Sequence, residues 1–254
     1  VTRAVLVSAW LLASVAVSAE PVPVHHVEGL IHGFLSFFQD GKAVARGDVL
    51  QHARGDVVTC RMSIRFQDGS SSEETTVFRQ RTSFHLVSDH LVQKGPFFKT
   101  PLDVLVDGAT GDVTVKYTEK GEEKTLTERL DPLPDDLANG LVGVVIKSVR
   151  EGTPKTTLSL LIATPKPRVV KLDITPDGSE RLAIGGRRRK VAKWRVKMVL
   201  GGLAGVLAPI LGKEPPDSYL WVLYGEAPTF LAAELALAAG TPQLRMELAG
   251  PFRH

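Results

Sequence analysis

The chain has 254 residues, 43% hydrophobic and 6% aromatic, with 31 Lys and Arg against 28 Asp and Glu for a formal charge of +3. That is ample material for one large core, but a weak charge bias, far from the dense basic patch of a nucleic-acid binder, and no nucleic-acid motif accompanies it. Cys60 is the lone cysteine, so no internal disulfide is available and the core must supply the stability.

The first residues read as a targeting segment. Thr2-Arg3 precedes an apolar run from Ala4 to Val17, and Val17-Ser18-Ala19 places small residues for cleavage before Glu20. The run is shorter than the ~20 residues that span a bilayer. A signal peptide over 1–19 is expected, leaving a single β-rich domain over 20–254 in the periplasm or secreted. No cysteine follows the cleavage site, so lipid attachment there is not expected.

Strand patterning begins at 28–38 and continues, more weakly, at 43–54. It is clearest at 56–67, where Val58, Cys60, Met62, Ile64 and Phe66 share one parity and Thr59, Arg61, Ser63 and Arg65 the other. Such alternation indicates an antiparallel sheet with one face in water. Asp68-Gly69 marks a hairpin. Further strands are expected at 73–80, 83–92, 102–106, 113–118 and 124–130.

One helix is expected at about 135–150. Asp135 and Asp136 sit where a helix N-terminus favours negative charge, and Lys147 and Arg150 fall in the last turn before Gly152 and Pro154. Its apolar residues, Leu141 and Val145 among them, wrap more than one face, so the helix should be largely buried.

Strands resume at 156–164, 168–175 and 181–184, with turns expected at Pro165-Lys166-Pro167 and Pro176-Asp177-Gly178. In 191–200, Trp194, Val196, Met198 and Leu200 alternate with Lys193, Arg195 and Lys197, giving a strand with one dry face. The apolar stretch 201–212, carrying Leu207 and Ile210, is broken by glycines and Pro209 and suits a mobile lid rather than a regular element. Tyr219 to Tyr224, including Trp221, is apolar on both faces, and strands at 229–237 and 243–248 complete the chain. About a dozen strands joined by short turns pair antiparallel with their neighbours. A sheet of that size curls. The expected fold is therefore mainly β, a curved antiparallel half-barrel wrapped around one apolar helix.

The chemistry-bearing residues are sparse. His85 and His90 point to opposite faces of one strand, and His25-His26 have no third ligand nearby. Cys60 lies on the dry face, where a thiol is an apolar filler with a raised pKa. Glu73 and Glu74 face opposite ways and make a poor carboxylate pair. Nucleophile-elbow, zinc-protease, phosphate-loop and dinucleotide motifs are all missing. A non-enzymatic protein without a metal or cofactor is expected. The run Arg187, Arg188, Arg189 and Lys190 reads first as a solvated turn, and secondly as a contact for anionic lipid headgroups or an acidic partner.

The leader ending Val17-Ser18-Ala19 and the run Trp221-Val-Leu-Tyr-Gly-Glu-Ala-Pro228, followed by a strand leading to Gly240, resemble an uncharacterised family of exported bacterial β-rich proteins with a lipoprotein-carrier (LolA/LolB-like) half-barrel. That resemblance covers most of the mature chain as architecture. It implies an acyl or other apolar group held in the concave face, and it brings no catalytic residues. Two readings follow. One is an exported carrier whose lining is Leu141, Val145, Trp194, Val196, Met198, Leu207, Ile210 and Trp221. The other is a structural or interaction module of the envelope with a filled interior.

Overall fold

The computed structural model describes residues 21–164, 166–184, 186–201 and 215–249. The expected leader, together with Leu207 and Ile210 of the expected lid, lies outside the described residues. Eight strands come first: β1 (Ile31–Gln39), β2 (Lys42–Arg54), β3 (Val57–Phe66), β4 (Ser71–Gln80), β5 (Phe84–Lys94), β6 (Leu102–Asp107), β7 (Asp112–Glu119) and β8 (Glu122–Arg129). A long strap follows, carrying α1 (Val142–Ser148). The second series is β9 (Thr156–Thr164), β10 (Lys166–Ile184), β11 (Arg187–Val199), β12 (Ser218–Leu223), β13 (Thr229–Ala236) and β14 (Gln243–Leu248).

All fourteen strands form one antiparallel sheet, ordered from β8 down to β1 and then from β14 down to β9. The two meanders join where β1 pairs β14, with Leu35 opposite Leu248 and Phe37 opposite Met246. This leaves β8 and β9 as the outer edges. Among the described residues no ladder joins them, so the sheet is rolled but not closed. Leu161 of β9 packs against Val104, Val106, Val113 and Val115 of β6 and β7, and Lys166 reaches Glu128 of β8 at 3.4 Å. One end of the sheet thus lies over the inner side of the other.

An uncovered edge strand invites pairing with another chain. The strap covers β9. Ala138 N–H donates to the Ser159 carbonyl at 2.9 Å and Ser159 N–H to the Asp136 carbonyl at 3.2 Å. The Asn139 amide then substitutes for a strand backbone, accepting from Leu161 N–H at 2.8 Å and donating to its carbonyl at 2.9 Å. This explains why the helix is shorter than expected. The Asp136 carbonyl, the Ala138 N–H and the Asn139 side chain are committed to β9, and Gly140, at φ +63°, takes a left-handed turn that a helix cannot contain. The helix therefore starts at Val142. Asp136 does not face a helix N-terminus; it accepts from the Ser159 hydroxyl at 2.6 Å and meets Lys171 at 3.3 Å.

A second departure concerns 168–184. Pro176-Asp177-Gly178 is not a turn but a bulge within the single nineteen-residue strand β10. Pro176 faces Trp194 and Ser179 faces Ala192, so Asp177 and Gly178 together oppose Lys193. Gly178 absorbs the extra residue at φ +88°, and Asp177 is held by Lys193 at 3.0 Å. Such a bulge bends a strand without ending it. Arg187 to Lys190 accordingly are the first residues of β11 rather than a turn.

The interior is occupied along its length. Around α1, Leu141, Val144, Val145 and Ile146 pack with Val58, Phe78, Leu172, Ile174, Trp194 and Val196. At the other end of β3, Phe66 stacks on Phe97 at 4.1 Å and meets Phe98 edge-on at 5.7 Å, with Phe37, Ile64 and Leu244 beneath. Met246 borders both clusters and joins them.

Candidate functional site

Of the residues expected to line an apolar site, Leu141, Val145, Trp194 and Val196 are brought together. They are core residues packed on one another, none more than 7% exposed. Met198 lies half-buried at the margin of the same cluster. Trp221 does not belong with them. In β12 it stands opposite Lys193, on the convex side, where it packs with Val191 and Ala232 beneath the Arg245 guanidinium at 3.9 Å. Its neighbours Leu220 and Val222 face inward instead, as strand alternation requires.

Two recesses flank the roll. One, of about 410 Å³, lies beside Phe38, Glu234, Arg245 and Glu247, where Arg245 is paired with both glutamates. The other, of about 170 Å³, sits between His85 and the start of the strap at Leu133 and Pro134. His85 bonds Ser83 at 2.8 Å and His90 bonds Asp103 at 2.9 Å, so the two histidines serve separate contacts. Among the described residues no cluster of His, Cys, Asp and Glu is arranged to hold a metal ion.

The concentrated chemistry is a polar column on the concave face that strand patterning alone did not single out. At one end the N-terminal segment enters the roll. Glu28 N–H donates to the Gln80 amide oxygen at 2.6 Å, and the Gln80 amide nitrogen donates to the Glu28 carbonyl at 2.8 Å. The Glu28 carboxylate accepts from Gln51 at 2.9 Å and pairs with Lys147 of α1 at 2.7 Å, both partners being buried. His25 anchors the preceding turn, its ring nitrogen 2.6 Å from the Ser148 carbonyl. The helix is thus tied to the N-terminal segment by an ion pair and by Ser148.

Further along the column are Cys60, Glu74, Thr76 and Asp89. Burial pushes the Cys60 thiol up to about 11, with the nearby Glu74 carboxylate adding to the effect. A thiol so held is a poor nucleophile at neutral pH. Thr76 donates its hydroxyl to Asp89 at 2.8 Å. Gly140 of the strap lies directly on that bond: a Cβ there would fall 1.9 Å from the Thr76 hydroxyl oxygen and 3.1 Å from Asp89. Only glycine permits so close an approach.

Glu74 and Asp89 occupy diagonal positions on paired strands, since Thr76 faces Asp89 and Glu74 faces Leu91. Desolvation raises both, Glu74 to about 8 with a further push from Asp89, and Asp89 to about 6 against the opposing pull of the Thr76 bond. Lys147 is already committed to Glu28. The folded pair therefore holds protons that the unfolded chain would release above the ordinary carboxylate range. Its stabilising contribution is full below about pH 4 and is lost as pH rises through about 6 to 8. Glu74→Gln should flatten this dependence and raise Tm by roughly 2–5 °C near pH 9, with little change near pH 5. Parallel melting curves of the two proteins from about pH 5 to 9 would refute the assignment.

No protein-family model matches the chain, and no curated protein matches it. Among solved structures it is similar to a β-barrel-like protein of a domain of unknown function, DUF1849, from Brucella abortus. The identity is 12%, over 91% of this chain and 97% of that one, with a TM-score of 0.45. The fold class stands on the strand pairing of the chain itself.

Proposed function

We propose that the protein is a non-enzymatic module of the cell envelope that works through its surface, its interior being filled by its own strap. The observation that carries this reading is the packing of Leu141, Val145, Trp194 and Val196. The side chains expected to hold an acyl group hold the helix instead, at the exposures of a folded core. Ligand pockets of some 300–1,000 Å³ bury most of a ligand against preformed walls. Neither of the two recesses described above is lined by any of those four side chains, and the larger of the two is lined by ion-paired ones.

Envelope location is supported by the apolar leader ending at Ala19. The non-enzymatic reading is supported by the raised thiol of Cys60 and by the close cover of Gly140 over the Thr76–Asp89 bond. The test is titration of the purified protein with a fluorescent fatty-acyl probe, alongside native mass spectrometry. The expected result is no saturable uptake and no co-purified lipid. Saturable one-to-one uptake that is lost in Val196→Asp would replace this reading with that of a carrier.

A further inference from the structure

The hairpin of β10 and β11 runs past its neighbours. β9 accompanies β10 only as far as the Thr156–Ile174 pair, and β12 accompanies β11 only as far as Ala192–Val222. Beyond the bulge, residues 179–184 and 187–190 form a two-stranded ribbon. Such ribbons are marginal in water without support. This one is braced along one face, where Leu182 and Ile184 pack on the convex cluster of Val191 and Trp221.

The ribbon gathers the charge of the protein. Arg181, Arg187, Arg188, Arg189 and Lys190 are all exposed. With Glu180 the only acid in 179–190, five cations less one acid give the ribbon a net +4; the whole chain carries +3, so the remainder is slightly acidic. Among the described residues only Lys190 of these cations has an ion-pair partner, Glu151 at 3.6 Å. Arg181 stands directly opposite Lys190, a like-charge pair that costs the ribbon stability. Residues directly opposite share a face. Arg187 and Arg189 therefore lie on one side with Ile184 and Leu182, and Arg188 and Lys190 on the other with Ala183 and Arg181.

We infer that this ribbon is a docking surface for an anionic lipid bilayer. Its cations are exposed and displayed on both faces of a narrow, braced ribbon. That arrangement suits a broad sheet of negative charge. The ribbon has no aromatic residue on which a base could stack, which sets it apart from a single-stranded nucleic-acid platform. Because Leu182 and Ile184 are engaged by the convex cluster, attachment is electrostatic, with each cation contributing near the surface and salt screening the sum. The inference is independent of whether the interior is filled.

The test is flotation of the full-length protein with vesicles of phosphatidylcholine alone and with phosphatidylglycerol mixed in at about one third, a fraction chosen to give a strongly negative surface. Wild type should bind only the anionic vesicles and release in about 0.5 M salt, where screening is nearly complete. The variant carrying R187A, R188A, R189A and K190A should bind at least tenfold less, with an unchanged circular dichroism spectrum, since the replaced side chains are exposed. Equal binding to both vesicles, no binding, or retention by the variant would overturn the inference. So would tighter binding of wild type to single-stranded DNA or to an acidic polypeptide than to the anionic vesicles.

Discussion

Leu141→Asp should unfold the protein or lower its denaturation midpoint by most of its range. Leu141 is the N-cap of α1, and its carbonyl accepts from Val144 and Val145 at 2.9 and 2.8 Å. Its side chain makes no capping bond. By local rules Asp is a better N-cap than Leu, worth about 1 kcal/mol, with a similar gain from negative charge at that end. The tertiary position reverses the sign. Leu141 is 1% exposed within the cluster of Val58, Phe78, Trp194 and Leu220. Removing a leucine from such a site costs about 2–5 kcal/mol, and an unpaired carboxyl left there adds several more or is forced to stay protonated. The loss approaches the whole of a typical stability of about 5–15 kcal/mol. Leu141→Met, which conserves volume, should cost less than about 1.5 kcal/mol. Urea denaturation of both variants checks the contrast. An Asp variant as stable as wild type would mean that capping wins and that the site opens to water.

The strands were legible because period-two alternation records which face is dry. The 56–67 pattern became β3 with Val58 and Ile64 buried and Arg61 and Arg65 paired outside to Glu73. The bounds of 156–164 and 243–248 also emerge directly from their flanking prolines and glycines. The helix was legible as an apolar stretch but not in extent, because Asp135 and Asp136 carry the same local signal whether they cap a helix or precede a strand-like strap. What decided it was β9, whose edge needed partners that only a distant segment could provide. The bulge at Pro176-Asp177-Gly178 was hidden for a related reason: bulge and turn use the same residues, and only the partner strand distinguishes them. Trp221 was misplaced because a strand apolar on both faces gives no parity from which to tell concave from convex.

The polar column was least legible, since burial of Glu28, Gln51, Gln80 and Asp89 depends on how the sheet rolls. A patterned strand with polar residues on both faces, such as Ser71–Gln80, was the available signal. Ser72, Glu74, Thr76 and Gln80 all point inward there, where a purely apolar core would place valines. The roll can accept them because the strap brings partners of its own: Gly140 to the Thr76–Asp89 bond, and Lys147 to Glu28.

Lys147 carries the second large effect. From the sequence it reads as a cation at a helix C-terminus, a role worth about 0.3–1 kcal/mol when exposed. In the fold it is buried, with its ammonium 2.7 Å from Glu28. Lys147→Ala should therefore cost about 3–5 kcal/mol, because it leaves the Glu28 carboxylate inside the protein with only the Gln51 amide to answer it. An exposed comparison is at hand in Arg61, paired with Glu73 at 3.3 Å, where Arg61→Ala should cost no more than about 1 kcal/mol. Replacing both partners, Glu28→Gln with Lys147→Met, should recover most of the loss, since a buried pair is more costly to break than to remove whole. A double variant no more stable than Lys147→Ala would show that the pair fixes the N-terminal segment against α1 in a way that packing cannot replace, and that the entry of residues 22–28 into the roll depends on the charge itself.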